Sequence, residues 1–250
     1  MFLQLGIFSM SLFQKIYNKQ QFDPDWLTGI WVNPYFIIRR SLMLGIRLIA
    51  KKFVGGELLD LGCGSKPYKH LFHVDTYLGI DLETSGHDHM NSMIDEFYDG
   101  KIIPFSKEKF DWVFSSEVFE HVFNIDELLP EIYRVLKPNG CIGFTCPFVW
   151  NEHEQPYDYA RYTSFAIQSL MEKNGFEIIL FVKSTSYIET VMQMLSTYVY
   201  QNCLPQNALL RILLSPIFVS PINIMGIVFA KILPRDQSLY HNNIVIARKL

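Results

Sequence analysis

The run Leu58-Leu59-Asp60-Leu61-Gly62-Cys63-Gly64 constrains this chain more than any other stretch. Apolar residues lead straight into Gly-x-Gly, so a buried strand ends in a turn that has no side chain to hold a ligand away from the backbone. Asp81 follows nineteen residues after Gly62, at the end of a second apolar run, Tyr77–Asp81. At that separation a carboxylate on the tip of the next strand reaches the ribose hydroxyls of a nucleotide-like ligand. The pattern implies an open parallel sheet that binds ligands at the C-terminal ends of its strands.

The rest of the chain continues the alternation. Apolar spacing predicts a helix over Pro34–Phe53, stopped by Gly55-Gly56, before the strand Glu57–Leu61. Ser65 and Pro67 suit the cap and first turn of a helix after the glycine loop. Further strands are expected at Lys101–Ile103, Asp111–Ser115, Cys141–Cys146, Phe176–Val182 and Asn243–Ala247. Helices are expected at Ile125–Leu136, stopped by Lys137-Pro138-Asn139-Gly140, and at Ser164–Asn174, stopped by Gly175. The fold class that follows is α/β and doubly wound, a seven-stranded, mostly parallel sheet with an apolar helical insertion before its last strand. The expected organisation is a helical cap over 1–54, a cofactor-binding core over 55–182, the insertion over 183–242 and a last core strand over 243–250.

Composition narrows the function. Hydrophobic residues make up 49% of the 250 and charged residues 19%, which excludes a disordered chain. The net charge of −3, with no Lys/Arg cluster, speaks against a nucleic-acid partner. Cys63, Cys141, Cys146 and Cys203 form no CxxC pair and no zinc-type set, so no metal is expected and the thiols read as reduced, cytoplasmic ones. The apolar stretch Met1–Lys19 lacks a leading positive charge and a small-residue cleavage site; it reads as a docking helix, not a signal peptide.

Two ligand classes compete for the glycine loop. A dinucleotide needs a third glycine, where this chain has Pro67, and its diphosphate would be repelled by Asp60. S-adenosylmethionine has no phosphate and carries an ammonium and a sulfonium, so an acid beside the loop suits it. A nicotinamide-dependent oxidoreductase is therefore the alternative enzyme, and a catalytically silent cofactor-binding subunit the alternative of another class.

From Glu57 to Phe181 the chain resembles the class I S-adenosylmethionine-dependent methyltransferases, in a branch similar to methyltransferases of bacterial glycan and cell-envelope synthesis. Asp60-Leu61-Gly62-Cys63-Gly64 matches the family's first motif and Asp81 its ribose-binding acid. Tyr98-Asp99 before Ile103-Pro104-Phe105 resembles the segment beside the adenine. Phe110-Asp111-Trp112-Val113 resembles the fourth strand, Ser115-Ser116-Glu117 the turn after it, and Leu136-Lys137-Pro138-Asn139-Gly140 the next turn. Where many members have a further glycine, this chain has Lys66. The resemblance implies S-adenosylmethionine as cofactor, held by Asp60, Gly62, Cys63, Gly64, Asp81, Leu82, Asp99 and Ser116.

Methyl transfer is an in-line displacement, and a hydroxyl acceptor also needs a base. The loops after the fourth and fifth strands are where such a group should lie. The second of them, Pro147–Thr163, is dense in titratable and aromatic residues. His153 is the preferred general base, since an imidazole titrates near neutrality; His121 and Glu117 are the other candidates. Asp158, Arg161 and Tyr162 are candidates for binding substrate, with Asp158 and Arg161 equally suited to orienting His153, or to pinning the loop and capping the helix near Ser164. The acceptor class is a small molecule or a glycan, lipid-linked forms included.

Ile212–Ala230 is nineteen residues without a charge, interrupted by Ser215-Pro216 and Ser220-Pro221. The breakers predict two short helices, not one span. Three uses of 205–234 stay open: a lid, core or homodimer face; a peripheral contact with the cytoplasmic face of a membrane; and a true span.

Overall fold

The computed structural model describes residues 19–83 and 93–250. The stretch read above as a docking helix, all but Lys19, lies outside the described residues. The chain divides into two compact units, one of Leu44–Ser184 with His241–Leu250, the other of Met1–Met43 with Thr185–Tyr240.

The first unit is built on seven strands: β1 Glu57–Leu61, β2 Thr76–Leu82, β3 Glu96–Tyr98, β4 Phe110–Ser116, β5 Leu136–Pro147, β6 Phe176–Lys183 and β7 Asn242–Lys249. Their order across the sheet is β3-β2-β1-β4-β5-β7-β6. β1 to β5 run parallel, and β7 inserts antiparallel between β5 and β6. Two helices, α3 (Ile125–Val135) and α4 (Ser164–Lys173), place Leu128, Leu129, Ile132, Ile167 and Met171 against Leu59, Ile142, Phe144 and Val245 of the sheet. The intervening residue Gly143 points to the other face. There a side chain would collide with Ile49 of α2 (Phe36–Lys52) and with Phe53 just after it, so glycine allows the close approach. Alternation along β5 thus gives each face its own helical layer.

Two local expectations fail. No α-helix follows the glycine loop: Lys66 has φ +52, outside the helical region, and only a short 3-10 turn, Lys69–Leu71, forms. The third strand lies at Glu96–Tyr98 and not at Lys101–Ile103. The Asp99 carboxylate accepts hydrogen bonds from the N–H groups of Lys101 (2.8 Å) and Ile102 (2.9 Å), which spends on a turn the donors a strand would need.

The second unit contains α1 (Trp26–Val32), the start of α2, α5 (Tyr187–Tyr198), a π turn at Val199–Cys203, α6 (Ala208–Phe218) and α7 (Ser220–Ile232). Only Val219 separates α6 from α7. It keeps helical angles (φ −95°, ψ −45°), and hydrogen bonds run across it from Val219 to Ser215 and from Asn223 to Val219. The two helices expected from the prolines are present but continue one another without a loop. Ala208–Ile232 is long and apolar enough, by length and composition, to cross a membrane, with a mean hydropathy of 2.1.

The start of α2 buries apolar side chains, Phe36, Ile37, Ile38 and Leu42, but along α5, α6 and α7 burial is largely inverted. Thr190, Gln193, Ser196, Thr197, Ser215, Ser220 and Asn223 are buried, whereas Leu209, Leu213, Ile217 and Ile232 are 62–71% exposed. Much of the interior polarity is satisfied locally. Gln193 and Ser196 both donate to the Pro34 carbonyl (2.7 and 2.9 Å), Gln193 accepts from Ile38 N–H, and Asn223 donates to the Asn33 carbonyl (3.1 Å).

Candidate active site

The glycine loop turns as its sequence requires. Gly62 and Gly64 sit at φ +73 and +47. A side chain on Gly62 would run into Val118, but a Cβ on Gly64 would meet no atom within 4 Å. The loop is therefore packed at its first glycine and open at its second. Lys66 explains its own departure from glycine: it takes the left-handed conformation a glycine would, while its buried ammonium pairs with Asp95. Asp95 also accepts from Gly79 N–H (2.6 Å), tying the loop to β2.

Asp81, at the end of β2, accepts from Gly64 N–H at 2.8 Å and from Leu82 N–H at 2.8 Å. Each of its oxygens has a lone pair left for a diol. Asp60 is 4% exposed and accepts from the Tyr77 hydroxyl at 2.6 Å, so it lies behind the loop and not on its rim. Burial pushes its carboxyl up to about 7, against the pull of Tyr77 and Lys66. Burial also pushes the Cys63 thiol up to about 12, so it is a neutral packing group. Ser116 ends β4 and shares a hydrogen bond with Thr145 of β5 (3.0 Å). Asp99 is engaged with its own turn, as described. An open glycine backed by a carboxylate, with Lys66 paired to Asp95, fits S-adenosylmethionine better than a diphosphate.

The chemistry-bearing loops meet because β4 and β5 are neighbours ending at the same edge. The turn after β4 carries Glu117, at φ +57, and the 3-10 turn Phe119–His121. Tyr159 and Ala160, from the loop after β5, donate their N–H groups to the Glu120 carbonyl (2.8 and 3.2 Å), and His121 Nδ1 lies 2.8 Å from the Tyr157 carbonyl. These bonds bring the His121 and His153 rings to 4.8 Å, edge to face.

Asp158 organises this loop. It takes two hydrogen bonds from Arg161 (2.6 and 2.7 Å) and one from His153 N–H (2.9 Å), and its Oδ2 lies 3.2 Å from His153 Nδ1. Burial would raise its carboxyl, but the Arg161 and His153 bonds outweigh that and hold it at about 2. Orientation of His153 and pinning of the loop are thus one arrangement. The helix cap expected of the pair falls instead to Thr163, whose hydroxyl accepts from Ala166 N–H (3.1 Å). Tyr162 packs against the core cluster. Glu117 accepts from Asn242 of β7 at 2.7 Å. Glu120 is wholly buried, and burial together with nearby Glu117 drives its carboxyl well above the usual range.

Lys66–Asp95, Tyr77, Thr145 and Asn242 were not legible as site residues. Each acts across strands, so its partner lies far away in sequence. The only local signal was Lys66 at a position calling for glycine.

The family model described as a methyltransferase domain matches residues 59–144. A malonyl-(acyl-carrier protein) O-methyltransferase of Calditerrivibrio nitroreducens is 28% identical over 122 residues, 44% of this chain and 46% of that protein; the match thus spans less than half of the relative's length. Among solved structures, the 4+2 cyclase SpnF superposes with TM-score 0.53 at 17% identity, over 85% of this chain and 82% of that one. A Haemonchus contortus phosphoethanolamine N-methyltransferase 2, solved with phosphomonomethylethanolamine and S-adenosylhomocysteine, gives 0.52 at 20%, over 89% and 57%. An S-adenosylmethionine-dependent methyltransferase from Mesorhizobium loti gives 0.51 at 15%, over 84% and 98%. At these identities the structural likeness is one of fold.

Proposed function

We propose, from the methyltransferase-domain match over residues 59–144 and the loop geometry, that the chain is a class I S-adenosylmethionine-dependent methyltransferase and transfers a methyl group to a hydroxyl of a small-molecule or glycan acceptor. The cofactor supplies an electrophilic methyl on a sulfonium that leaves as a neutral thioether. Asp81 would hold the ribose hydroxyls, and Gly62 and Gly64 would give the backbone room to meet the cofactor. Leu82, Ser116 and Asp99 stand at the rim of the same strand ends.

One observation carries the hydroxyl reading: the Arg161–Asp158–His153 series. Asp158, kept ionised by Arg161, fixes the proton of His153 on Nδ1, which leaves the Nε2 lone pair to receive the acceptor's proton. His153→Ala should keep cofactor affinity by calorimetry while turnover, followed by acceptor mass, falls roughly 10²–10⁴-fold. Unchanged turnover would move the base to His121 or Glu117, or mean that the acceptor needs none.

The inverted burial of the helical unit supports a lipid surface next to it, and hence a lipid-linked acceptor. Polar side chains inside, several bonded to backbone carbonyls, with aliphatic ones outside is the arrangement that suits a membrane, not water. On this reading the protein works at the cytoplasmic face. Ile217 and Phe218 lie on the exposed surface. The protein should float with anionic vesicles and the Ile217→Asp, Phe218→Asp variant should not. A vesicle-free wild type that self-associates would make the face a homodimer contact instead.

A further inference from the structure

Glu120, His121 and His153 form a cluster that methyl transfer, as read above, uses only in part. Each offers one ligand atom, and the three atoms lie within 4.8 Å of one another. The Glu120 side chain is fully buried, and neither of its oxygens has a hydrogen-bond donor. A carboxylate taken out of water without a donor is costly unless a proton or a cation meets it. His121 Nε2 lies 3.8 Å from Glu120 Oε1, and that nitrogen also lacks a hydrogen-bond partner.

Both imidazoles are presented in one sense. His121 Nδ1 is held by the Tyr157 carbonyl, and His153 Nδ1 lies 3.2 Å from both the Asn151 carbonyl and Asp158 Oδ2. A histidine whose Nδ1–H is fixed by a carbonyl or a carboxylate turns the Nε2 lone pair outward, which is the support found behind metal-ligating histidines. Glu154 adds a further oxygen 3.6 Å from His121 Nε2. Glu117, Glu154 and Asp158 add negative charge around the cluster, and Arg161, whose positive charge also reaches Glu120, is paired with Asp158.

We propose that Glu120, His121 and His153 bind one divalent transition-metal ion, with Glu154 in reach as a fourth donor. Two imidazoles and a carboxylate suit zinc, iron(II) or manganese; magnesium and calcium take oxygen ligands almost alone. Bonds of about 2.1 Å require the side chains to draw together slightly from their present spacing. The ion would take the lone pair with which His153 accepts a proton, so metal-loaded and methyl-transferring forms exclude each other.

The test uses untagged full-length protein carrying Cys203→Ser, His70→Ala and His73→Ala, which removes exposed cysteine and histidine ligands among the described residues, and His87→Ala and His89→Ala, which removes a histidine pair next to an acid in the sequence. After chelation and gel filtration, zinc is added and bound metal is counted by mass spectrometry and titrated by calorimetry. One equivalent of zinc, no comparable heat with magnesium, and at least a tenfold loss of affinity in His121→Ala and Glu120→Gln are expected. Glu120→Gln keeps the shape of the side chain, so a folded, non-binding variant is attainable. Retention of no zinc, equal affinity for magnesium, or unchanged affinity in both variants overturns the site. A gain of turnover on loading, in place of the expected loss, would keep the site and overturn His153 as base.

Discussion

Gly64→Ala separates the cofactor site from the fold more cleanly than any other single change. The residue sits at φ +47, a conformation that costs an L side chain roughly 1–2 kcal/mol. For a chain of this size each kcal/mol shifts Tm by roughly 2–4 °C, so the variant should melt about 2–8 °C lower. The new methyl meets no protein atom within 4 Å, so packing adds nothing to that loss. It would instead stand where the cofactor must approach. Overfilling a fitted site by one methyl costs typically about 1–3 kcal/mol, or roughly 5- to 150-fold in Kd. Calorimetry with S-adenosylhomocysteine, beside a thermal melt, reads the two effects apart. Gly62→Ala is the counterpart: its methyl collides with Val118, so its Tm should fall further. A folded Gly64→Ala protein that binds S-adenosylhomocysteine as tightly as the wild type would remove the cofactor from this loop and refute the reasoning.

Asp81→Ala removes an acceptor that also clamps Gly64, so Kd for S-adenosylhomocysteine should rise roughly 10- to 100-fold, the value of a charge-assisted hydrogen bond; Asp81→Asn, which keeps one acceptor oxygen, should lose less. The folded state raises the Asp60 carboxyl from its ordinary 3.8 to about 7, so the native protein holds a proton the unfolded chain has released. Stability should therefore fall as pH rises from about 4 through 7, by an amount on the order of a few kcal/mol, and Asp60→Asn should flatten that slope in urea titrations. A parallel slope in the variant would show that Asp60 is not the group responsible. Asp158→Asn should leave Arg161 and the His153 N–H partly unsatisfied, lowering turnover at unchanged cofactor affinity; equal turnover would reduce Asp158 to a loop anchor.

Much of the fold could be read because its signals are local. Strand into Gly-x-Gly, an acid at the tip of the next strand, and Gly175 after α4 depend on backbone conformation within a few residues, and they stand where the pattern put them. The misread elements were those decided by a competing partner. Ser65 and Pro67 suit a helix by propensity, but Lys66 takes a left-handed turn and pairs with Asp95, 29 positions along the chain. Lys101–Ile103 is apolar enough for a strand, but Asp99 takes its donors and β2 pairs instead with Glu96–Tyr98. In the insertion, residue types predicted helices, but not which side would be wet.

By itself the sequence determined the sheet class, the turn at Gly62–Gly64 and the position of Asp81 at the end of the next strand. Those follow from spacing along one strand or one turn, which composition and period encode directly. The tertiary structure alone decided that β7 lies antiparallel between β5 and β6, that Asp60 is buried against Tyr77, and that Glu120, His121 and His153 converge. These depend on strand order, because residues well apart in sequence touch only when the strands that carry them are neighbours. No local rule carries that information, since it arises from the packing of the whole sheet.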